Sequence, residues 1–466
     1  MTMKSIRHLS KESGDYMNFT EAIQAAGVVG AGGAGFPTHV KLSNKADCFI
    51  VNAAECEPLI ETDKFLCRNY ADKLIEGILL ISKHLGAKRM LIALKQKYKE
   101  EINCLKEAIT KASADIELFE MKTFYPAGDE QVIVQQVLRQ SVPERGIPID
   151  VGAVVNNVGT ILNIVDALQG IPVTNKYLSV VGEVEKPIMI NAPIGTAISD
   201  CIAKAKVKIQ NYAVIIGGPM MGKVLDNMEA IEKEVVTKTT GNILILPSDH
   251  YLIGHHKISI KRIAKQAQSA CIQCQMCTDL CPRYLIGHKV RPHMVMRNIW
   301  REDTIQDNNT YKEIFSDAIH CCECGVCELF SCPMNLSPCR VNIFIKKKFM
   351  EKGIQADRNM KPVARDSVDI RKTPTERLVA RLGLSKYDGL HAKECIDVNP
   401  NEVYIPFRQH IGLPAVGVVS VGDRVDACDL LATANTGGLS ANIHSSIKGV
   451  ITEITSHGAR IRREEG

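Results

Sequence analysis

Two short runs of cysteine constrain this chain more than any other feature. The first run has the spacing C-x2-C-x2-C-x3-C-P, with cysteines at Cys271, Cys274, Cys277 and Cys281. The second run begins in the same way but has a last gap of four residues, with cysteines at Cys321, Cys324, Cys327 and Cys332. Bacterial proteins use the first spacing to hold [4Fe–4S] clusters through cysteine thiolates. We therefore expect two such clusters, and the longer gap leaves the role of the last cysteine less well defined.

The fourth cysteine of each run is expected to bind the cluster of the other run, as in two-cluster proteins with this spacing. The first cluster then takes Cys271, Cys274, Cys277 and Cys332. The second cluster takes Cys321, Cys324, Cys327 and Cys281. Cys322 is an alternative to Cys321, although the C-x2-C-x2-C frame favours Cys321, and Cys339 is left over.

Zinc is the alternative occupant, because paired C-x2-C motifs also form structural zinc sites. Each run here carries at least three cysteines and a terminal Cys-Pro, which favours iron–sulfur clusters. The 39 residues between Cys281 and Cys321 contain two segments with a helical pattern, HMVMRNIW and YKEIFSDAIH. We expect an α-helical two-cluster ferredoxin module over residues 255–350.

Length and composition narrow the class of protein. The chain has 466 residues, which is enough for about three domains. A net charge of +5 and an aromatic content of 5% argue against nucleic-acid binding. Seventeen cysteines, an odd number, favour metal or redox chemistry in a reducing compartment over disulfides. No stretch approaches the ~20 apolar residues of a membrane span, and no secretory signal is visible, so we expect a cytosolic protein.

A glycine loop near the N-terminus, GAGGAG at residues 30–35, matches G-x-G-x-x-G, and Glu55 follows Gly35 by 20 residues. In a dinucleotide-binding unit this loop joins a strand to a helix. Here a helical pattern, FTEAIQAAG, precedes the loop and Phe36-Pro37 follows it, which argues against that unit. A backbone almost free of side chains can nevertheless approach a phosphate or a flat ring closely.

The segment after the loop alternates strands and helices. CFIVNAAECEP, MLIALK and DVGAVV have the pattern of strands, and apolar residues from Leu74 to Leu85 mark an amphipathic helix. Open parallel sheets bind their ligands at polar turns beyond the strand ends. Each turn residue by itself would be explained by turn chemistry or helix capping. Taken together they predict an α/β ligand-binding domain.

Four motifs in order, GAGGAGFPTHVK, VNAAECEP, YPAGDE and VVNNVGT, resemble the flavin-binding loops of the NADH-binding subunit of respiratory complex I. They are more similar still to the C subunit of the Rnf electron-transport complex and to the cobalamin reductases of propanediol-utilisation microcompartments. Relative to the complex I pattern, Ala54 replaces an Asp and Cys56 replaces a Gly. Cys56 is therefore interpreted as a marker of the Rnf-like branch rather than as a nucleophile.

The resemblance implies FMN, held by residues of all four motifs. The backbone of the glycine loop would contact it through Gly32, Gly33, Ala34 and Gly35. The pocket would be completed by Lys41, Asn52, Glu55, Gly128, Asn156, Asn157 and Thr160. Glu57 and Glu130 would lie where NADH stacks on the flavin, and Phe36 on the approach to the ring. A lysine with loop amides suits the FMN phosphate, and amide side chains suit the edge of the ring.

The expected fold is a multidomain α/β and α+β protein. Residues 1–175 would form a Rossmann-like FMN- and NADH-binding domain, and residues 176–250 a β-grasp module of the SLBB type. Residues 351–394 form a charge-rich linker, interpreted as a solvated connector or as a helix packed on the ferredoxin module. Residues 395–466 resemble the barrel-sandwich hybrid of lipoyl carriers. Their hairpin tip, ANTGGLSANIH, lacks the lysine that a carrier needs.

The C-terminal position of this last module favours the cobalamin reductase branch. That branch implies electron flow from NADH through FMN and two [4Fe–4S] clusters to a corrinoid, from cob(III)alamin to cob(II)- and cob(I)alamin, for coenzyme B12 recycling in propanediol utilisation. The implied partners are a corrinoid adenosyltransferase and a microcompartment shell protein, in the cytoplasm within a bacterial microcompartment. The alternatives are an Rnf-like protein that exchanges electrons between NAD and ferredoxin, and a non-enzymatic electron carrier.

Overall fold

The computed structural model describes residues 18–464 of the chain. The first 17 residues and the last two, which the sequence prediction included in the first and last domains, lie outside the described part. Five segments follow one another along the chain: an α/β domain, a mixed-sheet domain, a helical cysteine-rich module, a connecting segment and a β domain.

The N-terminal domain is built on a parallel sheet of four strands. From one edge to the other, the strands are Glu117–Met121, Arg89–Lys95, Cys48–Asn52 and Ala153–Asn157. The central strand carries Phe49, Ile50 and Val51, all fully buried, because helices cover both faces of a parallel sheet. From residue 18 onward, its seven α-helices are Phe19–Ala25, Thr38–Lys41, Thr62–Asn69, Ala71–Leu85, Lys99–Ala112, Glu130–Leu138 and Val158–Leu168.

Local sequence explains where these helices begin and end. The helix Ala71–Leu85 buries Leu74, Ile78 and Ile81 at the spacing of one helix face, and it ends at Gly86 in the left-handed conformation. Asp129 caps the helix Glu130–Leu138, since its Oδ1 accepts from two backbone amides of the first turn. Asp129 lies in the YPAGDE turn, so this cap also fixes part of a polar turn predicted to bind the cofactor.

The second domain is a mixed sheet of six strands. In spatial order the strands are Cys395–Asp397, Ile188–Pro193, Asn175–Gly182, Asn242–Pro247, Tyr212–Ile216 and Lys223–Leu225, and the helices Ile198–Ala205 and Met228–Lys233 accompany them. The first strand comes from far along the chain and pairs in parallel with Ile188–Pro193. Cys395–Asp397, with which the predicted C-terminal domain begins, thus extends the sheet of the second domain.

The cysteine-rich module is helical, as the sequence predicts. Its α-helices are Tyr251–His256, Ile260–Ala270, Met276–Asp279, Pro282–Leu285, Pro292–Met296, Asn308–Phe315 and Pro338–Lys352. Shorter helical turns of other types are Ile299–Thr304, Ser316–Ala318 and Val326–Phe330. Tyr311 and Phe315 are fully buried in its core, where Tyr311 packs on Phe349.

The segment 353–394 is packed against the protein, which favours the packed-helix alternative over the solvated connector. Thr373–Pro374 pairs with Phe124–Tyr125 of the N-terminal domain, and the helix Thr375–Arg381 follows directly. Leu378, Leu382 and Leu384 are fully buried in a core that they share with Tyr125. The charged residues that suggested a solvated linker lie before and between these buried positions.

The C-terminal domain consists of two antiparallel sheets, as expected for a barrel-sandwich hybrid. The strands of one sheet are Glu402–Pro406, Gly458–Arg462, Gly449–Thr455 and Arg424–Val425, and those of the other are Val416–Gly417, Leu430–Thr433 and Ile443–His444. Its core is continuous with that of the N-terminal domain. Buried Lys238 joins the two, since its Nζ donates to the carbonyls of Gly27 and Asn442, each at 2.7 Å. Over residues 18–464, the structure has no helix with both the length and the apolar character needed to cross a bilayer.

Candidate flavin and iron–sulfur sites

The glycine loop lies at the edge of a cavity of about 1040 Å³ between the N-terminal domain, the second domain and the cysteine-rich module. Gly32, Gly33 and Ala34 are exposed along its wall. A Cβ on Gly33 would meet no atom within 4 Å, whereas a Cβ on Gly32 would lie 2.7 Å from Asn157 Nδ2. The loop thus offers bare backbone to whatever occupies the cavity.

Nine of the fourteen residues predicted to bind the cofactor or NADH line this cavity. They are Gly32, Gly33, Ala34, Asn52, Glu55, Glu57, Gly128, Glu130 and Asn157. They come from all four motifs, which the fold brings together from sites up to 125 residues apart in the sequence. Asn52 Nδ2 donates to the carbonyl of Gly128 at 2.9 Å, so the second and third motifs are in direct contact.

The other five predicted residues, Gly35, Phe36, Lys41, Asn156 and Thr160, do not line the cavity. Thr160 supports the loop from behind, because its Oγ1 accepts from the amide of Ala31 at 2.9 Å. Gly35 has a φ of 71° and lies against the backbone of His410 in the C-terminal domain. Lys41 Nζ is held by Glu130 Oε1 at 2.5 Å and the Val155 carbonyl at 2.8 Å. The lysine predicted to contact the FMN phosphate is thus paired with a predicted NADH-site carboxylate.

A group of carboxylates, with Glu55 buried and Glu57 and Asp63 half-buried, forms one wall of the cavity. Glu55 Oε2 accepts from the amide of Asp63 at 2.8 Å, and Asn157 Nδ2 donates to Asp63 Oδ2 at 2.6 Å. Burial and the neighbouring Asp63 raise the pKa of Glu55 to about 8. Burial also raises the pKa of Asp63 to about 6 and that of Glu57 to about 7. Protons can therefore be held on this wall near neutral pH.

Two buried lysines lie close to these carboxylates, and neither belongs to a recognised sequence motif. Lys176 Nζ donates to the carbonyl of Ala31 at 2.7 Å, and Lys95 Nζ donates to the carbonyl of Glu55 at 2.8 Å. Burial lowers the pKa of each lysine to about 8. Both lysines fix backbone carbonyls of the cofactor motifs. Each is one lysine within a strand, and no local sequence motif marks it for this role.

The first cysteine group is assembled from both runs. Cys271, Cys274 and Cys277 share a shallow depression with Cys332 of the second run. Cys274 is exposed, and Cys271 and Cys277 are half-buried. These are the four cysteines predicted to bind the first cluster, three from the first run and Cys332 from the second.

The second group contains six cysteines rather than four. Cys281 lies near Cys321, Cys322, Cys324 and Cys327, in agreement with the spacing argument. Cys339, at the start of the helix Pro338–Lys352, lies near Cys321 and Cys327. Cys322 lies near Cys324 and Arg283. Cys281, Cys324, Cys327 and Cys339 are all less than 8% exposed, and Cys321 and Cys322 are half-buried.

The second cysteine group and the glycine loop share the cavity. Cys322, Cys324 and Arg283 line it together with Gly128 and Glu130. Arg283 also forms a buried ion pair with Asp129, with Nη2 and Oδ2 at 2.8 Å. Because thiols converge next to a cavity lined by bare backbone, the arrangement suits a flat redox cofactor beside a metal cluster.

Three sequence families match successive parts of the chain. A Nuo51 FMN-binding domain matches residues 23–166, a 4Fe-4S dicluster domain matches residues 270–337, and an RnfC barrel sandwich hybrid domain matches residues 392–464. The match to a 4Fe-4S domain favours iron–sulfur clusters over the zinc alternative. The fold and the sites therefore define an oxidoreductase with an FMN-binding domain and a 4Fe-4S dicluster domain.

Relatives that span the whole chain define the family. The chain is 37% identical over 451 residues to cobalamin reductase PduS of Citrobacter freundii, a match that covers 96% of this chain and 97% of the relative. It is 38% identical over 449 residues to cobalamin reductase PduS of Salmonella typhimurium, covering 95% and 96%. A component of the Na(+)-translocating ferredoxin:NAD(+) oxidoreductase complex of Acetobacterium woodii is 32% identical over 294 residues, 61% of each chain. The chain belongs to the cobalamin reductase PduS family, which confirms the resemblance seen in the four motifs.

Proposed function

We propose that this protein transfers electrons from NADH, through FMN and two [4Fe–4S] clusters, to a corrinoid. A hydride from NADH carries two electrons, and reduction of cob(III)alamin to cob(I)alamin through cob(II)alamin consumes two. The overall reaction is therefore balanced as NADH plus cob(III)alamin giving NAD⁺, H⁺ and cob(I)alamin. The proposal is supported by full-length relatives that carry the name cobalamin reductase.

The observation that carries the proposal is the shared cavity wall. Bare backbone at Gly32 and Gly33 and thiols at Cys322 and Cys324 line one continuous space. When bound there, FMN would supply the conversion between two-electron and one-electron transfer. The residues that would hold it are Gly32, Gly33, Ala34, Asn52, Glu55, Gly128 and Asn157, which line the cavity. Thr160 and Lys176 fix the backbone of the loop.

The cavity residues also explain how a proton could be handled during hydride oxidation. Glu57 Oε2 accepts from the amide of Met220 at 2.9 Å, and its Oε1 is buried with no partner among residues 18–464. A buried carboxylate with a free oxygen can hold or release a proton close to the ring-binding backbone. We assign Glu57 and Glu55 to this role.

Each of the two cysteine groups in the structure would supply the thiolate ligands of one cluster. Cys271, Cys274, Cys277 and Cys332 would bind the first cluster. Cys281, Cys321, Cys324 and Cys327 would bind the second. This activity would serve coenzyme B12 recycling in propanediol utilisation. The protein would then lie in the cytoplasm within a microcompartment, and its partners would be a corrinoid adenosyltransferase and a shell protein.

Anaerobic assay of NADH-dependent cob(III)alamin reduction tests this function. We expect Cys274→Ala and Cys324→Ala each to lower corrinoid reduction at least ten-fold, while NADH still bleaches the flavin spectrum. Cys395→Ala, which changes an exposed cysteine outside both groups, is the matched control and should behave as the wild type. A colourless anaerobic protein, or one that contains zinc instead of iron, would contradict the proposal.

The second candidate is exchange of electrons between NAD and ferredoxin, which the similarity to the Acetobacterium woodii protein favours over 61% of the chain. Reduction of ferredoxin by NADH without any reduction of corrinoid, together with co-purification with membrane partners, would support this candidate. A protein that binds no flavin would be a carrier of electrons only.

A further inference from the structure

The two cysteine groups differ in their access to solvent. The second group borders the flavin cavity and none of its cysteines is exposed: Cys324 and Cys327 are only 7% and 6% exposed, and Cys321 and Cys322 are half-buried. The first group does not line that cavity, and its Cys274 is exposed. Electrons that enter at the cavity therefore meet the buried group first, and the first group is the one that a molecule in solution can approach.

The surface around Cys274 has an unusual composition. Every residue from Ile272 to Met276 is exposed, as are Met334 and Asn335 beside Pro333. Ile272 is 61% exposed, and Met276 and Met334 are each 41% exposed. Ile272 and Met334 line the same depression, and exposed apolar side chains that lie together indicate a contact surface.

The residues 272–276 and 333–335, which we call the neutral face, carry no charged side chain. Their polar side chains other than Cys274 are the amides of Gln273, Gln275 and Asn335. The adjoining helix Ile260–Ala270, by contrast, exposes Lys261 and Arg262. The depression here holds only about 20 Å³, so it cannot enclose a ligand and can only receive one on its surface.

The chemistry of the neutral face identifies its occupant. Charged electron-carrier proteins are recognised through complementary charge, which steers their encounter, and the neutral face offers none. A corrinoid has a broad ring edged by methyl groups and by uncharged primary amides. Methionine and isoleucine suit the methyl groups, and glutamine and asparagine suit the amides.

Resting on the proposed function, we propose that a corrinoid docks on the neutral face and is reduced there by the first cluster. The ring lies against Ile272, Met276 and Met334, and its side-chain amides bond to Gln273, Gln275 and Asn335. No large pocket is needed, since contact lasts only for the transfer of an electron. The open depression matches such a short-lived complex.

Two charge-introducing variants, Met334→Glu and Gln273→Glu, test the docking surface. We expect each variant to raise the KM for hydroxocobalamin about ten-fold in the NADH-dependent assay. Equilibrium dialysis against hydroxocobalamin should show binding weakened by a similar factor. The control is Val421→Glu in the C-terminal domain, where Val421 is 62% exposed. This variant should match the wild type in both measurements.

The outcomes separate this inference from the proposed function. If the wild-type protein reduces no corrinoid at all, the proposed function fails and the docking surface fails with it. If the wild type reduces corrinoid and both variants keep its KM and its binding, only the docking surface is overturned. Iron content is measured on each sample. If one variant loses iron, the variant that retains iron decides the test. Slower reduction of ferredoxin with unchanged reduction of corrinoid would identify a protein as the occupant and also overturn the inference.

Discussion

The hydroxyl of Tyr125 donates a hydrogen bond to the backbone carbonyl of Cys324 at 2.8 Å. Tyr125 belongs to the YPAGDE turn, one of the four motifs around the cavity, and Cys324 belongs to the second cysteine group. Both residues line the cavity, and Tyr125 is only 2% exposed. A single buried contact thus joins the proposed flavin site to the proposed cluster site.

Tyr125→Phe should weaken this junction. Removal of the hydroxyl leaves the buried carbonyl of Cys324 without its partner, which costs about 1–3 kcal/mol of the free energy of unfolding. We expect a lower thermal midpoint and slower electron delivery from NADH to corrinoid. Tyr311→Phe is the control, because Tyr311 is also buried and donates to Glu302, and neither residue lines the cavity. Equal loss of corrinoid reduction in both variants would show that the junction has no special role.

Arg283→Met should destabilise the protein more than loss of a surface ion pair. Arg283 and Asp129 form an ion pair with side chains only 11% and 13% exposed. Removal of one partner from a buried pair costs about 3–5 kcal/mol, since the other charge stays buried and uncompensated. Arg89→Met breaks the exposed pair with Glu117 and should cost at most about 1 kcal/mol. Chemical denaturation of the two variants measures the difference, and equal values would contradict the prediction.

The choice between Cys321 and Cys322 can be tested by serine substitution. Cys321 follows the C-x2-C-x2-C frame and lies near Cys339, whereas Cys322 lines the flavin cavity and lies near Arg283. We expect Cys321→Ser to lose about half of the bound iron and Cys322→Ser to keep it all. Iron analysis and electron paramagnetic resonance of the reduced proteins give the answer. The reverse result would assign Cys322 as the ligand.

Glu55→Gln should flatten the dependence of stability on pH in the flavin-free protein. The pKa of Glu55 is raised from 4.5 to about 8. Between these values the folded protein holds more protons than the unfolded protein, so this contribution to stability is greatest at low pH and falls as pH rises. The substitution keeps an oxygen acceptor for the Asp63 amide and removes the charge. Thermal midpoints at pH 5 and pH 8 should differ less in Glu55→Gln than in the wild type or in the exposed control Glu229→Gln.

Lys238→Met should loosen the glycine loop without touching the cavity. Lys238 is 2% exposed and bonds the carbonyls of Gly27 and Asn442. Its loss leaves two buried carbonyls unpaired, at about 1–3 kcal/mol each. Because Gly27 precedes the loop at residues 30–35, we expect weaker FMN binding as well as a lower thermal midpoint. Lys448→Met, which changes an exposed lysine of the C-terminal domain, should alter neither.

Much of the architecture follows from local patterns. The cysteine spacings predict two groups that exchange their last members, and the structure brings Cys332 to the first run and Cys281 to the second. The helix Ala71–Leu85 follows from its apolar spacing and its terminal glycine. In each case the pattern that carries the prediction lies within a short segment, where residue spacing limits the structures that the segment can form.

The linker shows where local patterns leave two alternatives open. Residues 353–394 are rich in charge, yet Leu378, Leu382 and Leu384 anchor the segment in a shared core. Charged residues can line the solvent face of a packed segment, so average composition does not reveal a few buried side chains. The strand Cys395–Asp397 joins a sheet whose neighbouring strand, Ile188–Pro193, lies far earlier in the chain, and its composition carries no sign of that pairing.

The kind of chemistry can be read from short segments of the chain, because thiolate spacing and side-chain-free backbone are local properties. Which groups meet depends on the folded arrangement: Lys41 with Glu130, Tyr125 with Cys324, and Arg283 with Asp129. These partners lie 89 to 199 residues apart in the chain. Such pairs form only when the packing of whole domains brings them together, and no local pattern encodes that packing.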